Sequence, residues 1–119
     1  MNRYEEWAEE VIGRIREKMA WSSEKNRDKI PYTTDEAGNY IDRAADGDCN
    51  GLSWWTNGFW GGIMWLLYQD TKEEKYRDIA QRSEERMEKC FEFFYGLNHD
   101  VGFMYMPTAV ADYRLTGNG

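Results

Sequence analysis

A chain of 119 residues makes one small domain and is too short for two ordinary ones. With 41% hydrophobic and 31% charged residues it has the balance of a folding chain, and a net charge of −7 argues against nucleic-acid or anionic-membrane surfaces, which need clustered Lys and Arg. Aromatic residues reach 16%, with six Trp and eight Tyr, which favours either heavy interfaces or a ring-stacking site.

In chain order, the first predicted element is a helix from about Asn2 to Trp21. Tyr4, Trp7, Ala8, Val11, Ile15 and Met19 share one face at helical spacing, and Glu, Arg and Lys cover the other. This acidic start lacks the basic region and apolar stretch of a secretory leader. The longest apolar run, Phe59 to Tyr68, falls far short of the ~20 residues that span a bilayer. A cytoplasmic location is expected. Cys49 and Cys90 sit in no metal-ligand spacing and are expected to be two free thiols in a reducing compartment.

From Ser22 to Ser53 the periodicity is lost. Pro31, several Gly and Asn, and the run D-R-A-A-D-G-D from Asp42 to Asp48 predict a long irregular connection, of a kind that is often functional. Asp42, Asp46 and Asp48 loosely resemble a calcium loop, but the closing Glu of an EF-hand is missing. Neither a metal nor a cofactor is expected.

Phe59 to Tyr68 is apolar all round, which predicts a helix buried on every side. Gly61 and Gly62 weaken it intrinsically, and close approach of another backbone or a ligand would explain them. Thr71 and Glu74 have the spacing of a capping box for the next helix, about Lys72 to Phe94. Its single apolar stripe (Tyr76, Ile79, Ala80, Ser83, Met87, Cys90, Phe91 and Phe94) predicts an outer helix. Pro107 fits the first turn of a last short helix, with Gly117 as its C-terminal cap. Tyr-x-x-Thr occurs at Tyr68 and again at Tyr113, roughly 45 residues on, a period typical of helix-pair repeats. Buried and one-faced helices in alternation predict an all-α chain of helical hairpins packed side by side.

The stretch N-H-D-V-G-F-M-Y-M-P, Asn98 to Pro107, holds the only histidine. By spacing alone, Asp100 before Gly102 reads as a turn residue, and His99 as a hydrogen-bonded structural histidine. Met104, Tyr105 and Met106 read as packing and Trp60 as core, while Trp55 reads equally as core or as site.

W-T-N-G-F-W, Trp55 to Trp60, followed by H-D-V-G-F, His99 to Phe103, and then the Y-R-L-T-G echo, resembles the unsaturated glucuronyl hydrolases, glycoside hydrolase family 88, more than the related family 105. The resemblance runs from Trp7 to Gly117. It implies an (α/α)6 barrel of inner and outer helices, which at ~45 residues per hairpin needs about 270 residues. The chain is therefore expected to be a truncated single domain, the N-terminal third of such a ring.

The resemblance also implies a chemistry. These enzymes hydrate the 4,5-unsaturated uronic acid at the non-reducing end of lyase-made oligosaccharides. An acid protonates C4, water adds at C5, and the hemiketal opens to release the neighbouring sugar. This is not the usual displacement by two carboxylates at the anomeric carbon, but it needs a carboxyl group placed to give and take a proton. Asp100 matches the family's first active-site aspartate, His99 the histidine beside it, and Trp55 a tryptophan near the sugar. The principal acid/base aspartate of the family has no match in the chain. The chain alone is thus expected to be inactive toward its unsaturated uronic-acid oligosaccharide, with no nucleic-acid or membrane partner. The alternative is a non-catalytic helical module for sugar binding or self-association. Apolar faces left open by a partial ring make a homo-oligomer the expected state.

Overall fold

A computed structural model describes residues 2–43, 49–93 and 97–119, without the side chains of residues 49, 50 and 93. Helix α1 spans Arg3–Lys25, four residues beyond the predicted end. Asn2 accepts from the N–H groups of Tyr4 and Glu5, and the Glu5 carboxylate answers the Asn2 N–H, so three otherwise unpaired donors are satisfied. Only the last turns of α1 pack: Ser22, Ser23 and Asn26 are buried and Met19 edges the core. Contrary to the amphipathic pattern, Tyr4 and Trp7 stand in solvent, 83% and 64% exposed. Polar contacts hold the helix instead. Arg16 grips Asp70 with two bonds of 2.7 and 2.6 Å, and Lys75 reaches the Ala20 carbonyl. The projecting helix gives a radius of gyration of 15.3 Å, against about 13.5 Å for a compact domain of this length.

The predicted irregular connection contains a small hairpin. Strands β1 (Pro31–Thr34) and β2 (Tyr40–Asp42) pair antiparallel, with Pro31 opposite Asp42, Thr34 opposite Tyr40 and an irregularity between. Asp35 builds the turn by accepting from the N–H groups of Ala37 and Asn39, and Gly38 supplies the positive φ. Period-2 patterning fails to announce the pair because both strands are short and largely exposed. The base of the hairpin is tied to the helices by Arg86, which holds both oxygens of Asp42 at 3.1 and 2.9 Å. Asp46 and Asp48 of the acidic run lie outside the described residues, as does the side chain of Cys49; Cys90 is buried.

A short helix α2 (Cys49–Leu52) leads to the core pair, α3 (Asn57–Thr71) and α4 (Glu74–Phe93). Only Lys72 and Glu73 separate the last two, so the chain reverses there. Thr71 does not open α4 as a capping box. It closes α3, donating to the Leu67 carbonyl, while Lys72 takes a left-handed conformation and its N–H returns to Tyr68. α4 is one-sided as predicted: Tyr76, Ile79, Ala80, Ser83, Met87 and Cys90 are buried. Phe91, though, is 45% exposed, and Phe94 lies outside the described residues. α3 is not buried all round. Trp60, Met64, Trp65 and Leu67 fill the core, but Phe59, Ile63 and Leu66 form an open face.

The last helix starts earlier than predicted and is continuous. It runs as α5 (Val101–Tyr105), a π-helical turn (Met106–Val110) and α6 (Ala111–Thr116). Pro107 is thus inside it rather than in its first turn. A proline ring there has no N–H to give and would strike the carbonyl four residues back, so the chain widens into a π turn. Thr108 contributes a bond of its own to the Met104 carbonyl, 2.5 Å long. Gly117 ends the helix with φ 77° and its N–H on Tyr113, as Lys72 does on Tyr68. Thr116 likewise donates to the carbonyl four residues back. The Tyr-x-x-Thr echo is therefore one helix-ending device used twice.

Glycines set how α3 meets this last helix. A Cβ on Gly58 would overlap the Phe103 carbonyl and stand 2.6 Å from the Met104 Cα. On Gly61 it would be 2.7 Å from Thr108 Cγ2, and on Gly62 2.8 Å from Pro107 Cβ. Matching positions advance together, so the two helices run parallel, with α4 packed against both. α3 and α4 form one helical hairpin, and the last helix lies against both. Gly58→Ala should cost about 3 kcal/mol, since backbone rather than a movable side chain blocks the methyl. Urea unfolding of the variant measures it, and a loss within 0.5 kcal/mol, about the scatter of surface changes, would contradict this packing.

One polar network crosses the same helices. Trp65 Nε1–H donates to Glu84 at 2.6 Å, and Glu84 hydrogen-bonds Asp112. Asp112, 2% exposed, accepts from Thr116 (2.6 Å), Asn118 (3.0 Å) and Gln81 (3.3 Å). Burial pushes the Glu84 carboxyl up to about 8, and the facing Asp112 charge adds to this. Burial alone would also raise Asp112, but hydrogen bonds from Thr116, Asn118, Glu84 and Gln81 outweigh it and hold Asp112 below its ordinary value. Glu84 thus binds its proton more tightly folded than unfolded. Its contribution is full below 4.5 and is lost as pH rises to about 8. Urea midpoints should fall across that window and flatten above it, and Glu84→Gln should remove the slope. An unchanged slope in the variant would assign it elsewhere.

Candidate functional site

Because α3 and the last helix are parallel, their N-terminal ends lie side by side. Trp55 stands just before α3 and Asp100 just before α5, so two segments distant in sequence open onto one end of the helix layer. Trp55 meets Phe103 at 5.5 Å between ring centroids and Phe59 at 5.6 Å, both edge to face, and Phe59 meets Phe103 at 6.3 Å. This geometry suits the ring quadrupoles. The belt continues sideways, from Trp55 to Trp54 at 6.4 Å and from Trp54 to Tyr32 of the hairpin at 6.1 Å. Trp55 is half-buried, with part of its surface in solvent, whereas Trp60 is core, 8% exposed, as expected.

Asn57 fixes the tryptophan doublet. It is buried, and its Nδ2 donates to the carbonyls of Gly51 and Leu52, closing α2. Its N–H goes to the Trp54 carbonyl. The variable position of the W-T-x-G-F-W motif is thus a clamp that holds α2, Trp54 and α3 in one arrangement.

Asp100 occupies the N-cap position of α5 but does not cap it: its carboxylate makes no bond to the helix N–H groups. The turn chemistry is done by Asn98, whose side chain accepts from the Asp100 N–H at 2.9 Å and whose carbonyl takes the Val101 N–H. The Phe103 N–H is satisfied by the Asp100 backbone carbonyl. A plain turn aspartate would be spent on local bonds. Here the carboxylate is 29% exposed and its polar neighbour is His99 Nε2, 3.4 Å away. That separation exceeds an ordinary hydrogen bond, and His99 itself is 89% exposed. His99 is therefore neither a core histidine nor a tight orienter of Asp100. Beyond Phe103, Met104 is buried, Tyr105 donates to the Met87 carbonyl and Met106 is 56% exposed, so only part of that apolar run is packing.

Sequence reading selected Trp55 but passed over Trp54, Tyr32 and Arg43. The W-W doublet was the available signal for Trp54. Nothing local marks Tyr32 or Arg43, since the hairpin that carries them was read as an irregular connection. Among the described residues, no three His, Cys, Asp or Glu side chains converge as metal ligands. No helix among them is long and apolar enough to cross a membrane.

The chain is 32% identical to an unsaturated glucuronyl hydrolase from Bacillus sp. (strain GL1), over 88% of its own length and 26% of that protein. It is 36% identical to an unsaturated chondroitin disaccharide hydrolase from Streptococcus pneumoniae (strain ATCC BAA-255 / R6), over 55% of the chain and 17% of the relative. The corresponding protein of Streptococcus agalactiae serotype III (strain NEM316) is 37% identical over 54% of the chain. The chain spans about a quarter or less of the length of these curated relatives. No family model matches it, and no solved structure does. Across most of its length, the chain resembles unsaturated glucuronyl hydrolases.

Proposed function

We propose that the chain carries one wall of a sugar-hydrating site of the unsaturated glucuronyl hydrolase type, glycoside hydrolase family 88. The observation that supports this most is the contact of Trp55 at the start of α3 with Phe103, one turn after Asp100 at the start of the last helix. A sugar ring presents C–H faces that lie against Trp and Phe, and its hydroxyl edge then faces the carboxylate. Asp100 is free of capping duty and is the group that would assist proton transfer to C4 of an unsaturated uronate. Trp55 and Phe103 would shield that step from bulk water, which strengthens electrostatic contacts inside. His99, exposed beside Asp100, would close on the substrate rather than hold the empty site.

The parallel pair of helices with α4 against them corresponds in this reading to two inner helices and one outer helix of an (α/α)6 ring. The chain covers at most 26% of its relatives, and the family's principal acid/base aspartate has no counterpart in it. On its own, the chain should bind the unsaturated disaccharide and leave it intact. Titration with an unsaturated chondroitin disaccharide should quench tryptophan fluorescence, and Trp55→Ala should weaken binding about tenfold, the worth of one well-placed ring contact. The ultraviolet absorbance of the double bond should persist. Loss of that absorbance, itself abolished by Asp100→Asn, would show a complete enzyme and overturn the inactivity. Absence of any quenching would remove the sugar site.

Self-association belongs to the same reading. The open face of α3 and the last helix border an apolar groove of about 550 Å³, lined by Phe59, Ile63, Leu66, Pro107 and Leu115. Tyr4 and Trp7 add a second exposed patch on α1. Continuous apolar surface of this kind is ordinarily covered. Light scattering of the purified chain should report a mass above 14.1 kDa at micromolar concentration; a clean monomer would refute it.

A further inference from the structure

Arg43 sits at the far end of the aromatic belt from Asp100. Its guanidinium lies 5.3 Å from the ring centre of Tyr32 and 5.4 Å from that of Trp54, two rings that themselves meet edge to face. Arg14, Arg16, Arg27, Arg82 and Arg86 each face a carboxylate, whereas Arg3, Arg77 and Arg114 have no such ion pair among the described residues but also leave no buried side-chain nitrogen without a partner. The Arg43 guanidinium faces none among the described residues, and its Nε is buried without an acceptor. Leaving a half-buried guanidinium donor unmatched is unfavourable, and ring contacts compensate only the charge, not the N–H.

The placement is nonetheless rigid. The Arg43 N–H donates to the Ile30 carbonyl at 2.9 Å. Its neighbour Asp42 is locked by the two-pronged bond to Arg86 and by the Ile30 N–H. Trp54 is fixed in turn through Asn57. A planar cation held against two rings, with N–H groups unclaimed by protein carboxylates, is an arrangement that can take a planar or tetrahedral oxyanion with directed bonds.

We propose that Arg43 is an anion-recognition residue of the belt, binding a sulfate or carboxylate on the sugar next to the one at Asp100. This deepens the sugar-site reading and rests on it. The position follows from the order of the rings. Arg43 touches Trp54, Trp54 is 6.4 Å from Trp55, and Trp55 is 5.5 Å from Phe103, one turn from Asp100. A sugar over Trp55 and Phe103 therefore leaves Arg43 to its neighbour. Specificity for an anion on that neighbour would come from a chain whose overall charge is −7, because a local cation at short range outweighs distant, screened carboxylates.

Three probes test this on the full chain by fluorescence titration: an unsaturated chondroitin disaccharide without sulfate, the same disaccharide with one sulfate on its second sugar, and a disaccharide of two uronates. The expected result is about tenfold tighter binding of whichever second-sugar anion fits, sulfate or carboxylate. Arg43→Met should abolish that preference and Arg43→Lys should keep part of it, with both variants folded by circular dichroism. A preference unchanged in Arg43→Met overturns the proposal, and so does equal binding of all three probes by the unaltered chain. Inorganic sulfate alone supplies a separate readout, the NMR signal of the Arg43 Nε–H. If that signal moves with sulfate while no disaccharide binds, the anion site stands and the sugar reading fails. If it moves with no probe, the anion site falls.

Discussion

The architecture depends on one close contact, between the glycine edge of α3 and the backbone of the last helix. Gly58, Gly61 and Gly62 remove the side chains that would hold two helices apart, and Phe103, Met104, Pro107 and Thr108 occupy the space. Parallel helices this close must begin at the same level. That alignment sets Trp55 beside Phe103, one turn after Asp100. A methyl group at Gly58 would separate them, so the packing constraint and the site constraint are the same constraint.

Around this contact, polar groups do work that apolar burial does not. Asp112 and Glu84 tie α6 to α4, and Trp65 links both to α3, through a network in which burial, with the facing Asp112 charge adding to it, raises the Glu84 carboxyl. Arg86 binds the hairpin to α4, and Asn57 binds the tryptophan doublet to α3. These ties hold loops and a two-stranded hairpin too small to be stable alone. They hold the elements that bear Tyr32, Arg43, Trp54 and Trp55.

Some of this was legible beforehand. The 3.6-residue pattern of Tyr76, Ile79, Ala80, Ser83 and Met87 marks α4, because a one-faced helix carries its own periodicity. The paired glycines of α3 foretold a close neighbour. The all-apolar run from Phe59 to Tyr68 misled on burial, since its composition is the same whether a face is covered or open. Thr71 misled on capping, since a threonine before Glu can close one helix as readily as it opens another. Pro107 misled on the start of the last helix, because a π turn admits a proline that a regular α-helix would refuse. In the site, H-D-x-G-F and W-T-x-G-F-W were visible as words, but the contacts of Arg43 with Tyr32 and Trp54 are relations between segments.

The sequence by itself determined the helical class, the one-faced character of α4, and the likeness to unsaturated glucuronyl hydrolases, because each is written in local periodicity or in contiguous motifs. Tertiary structure alone decided that α1 projects instead of packing, and that Tyr32, Arg43 and the tryptophan doublet form one belt with Phe59 and Phe103. Those outcomes turn on which of several chemically able groups finds a partner first in three dimensions. Hydrogen bonds and ring contacts are short-ranged, so that choice is made by the glycine-set spacing of helices far apart in the chain.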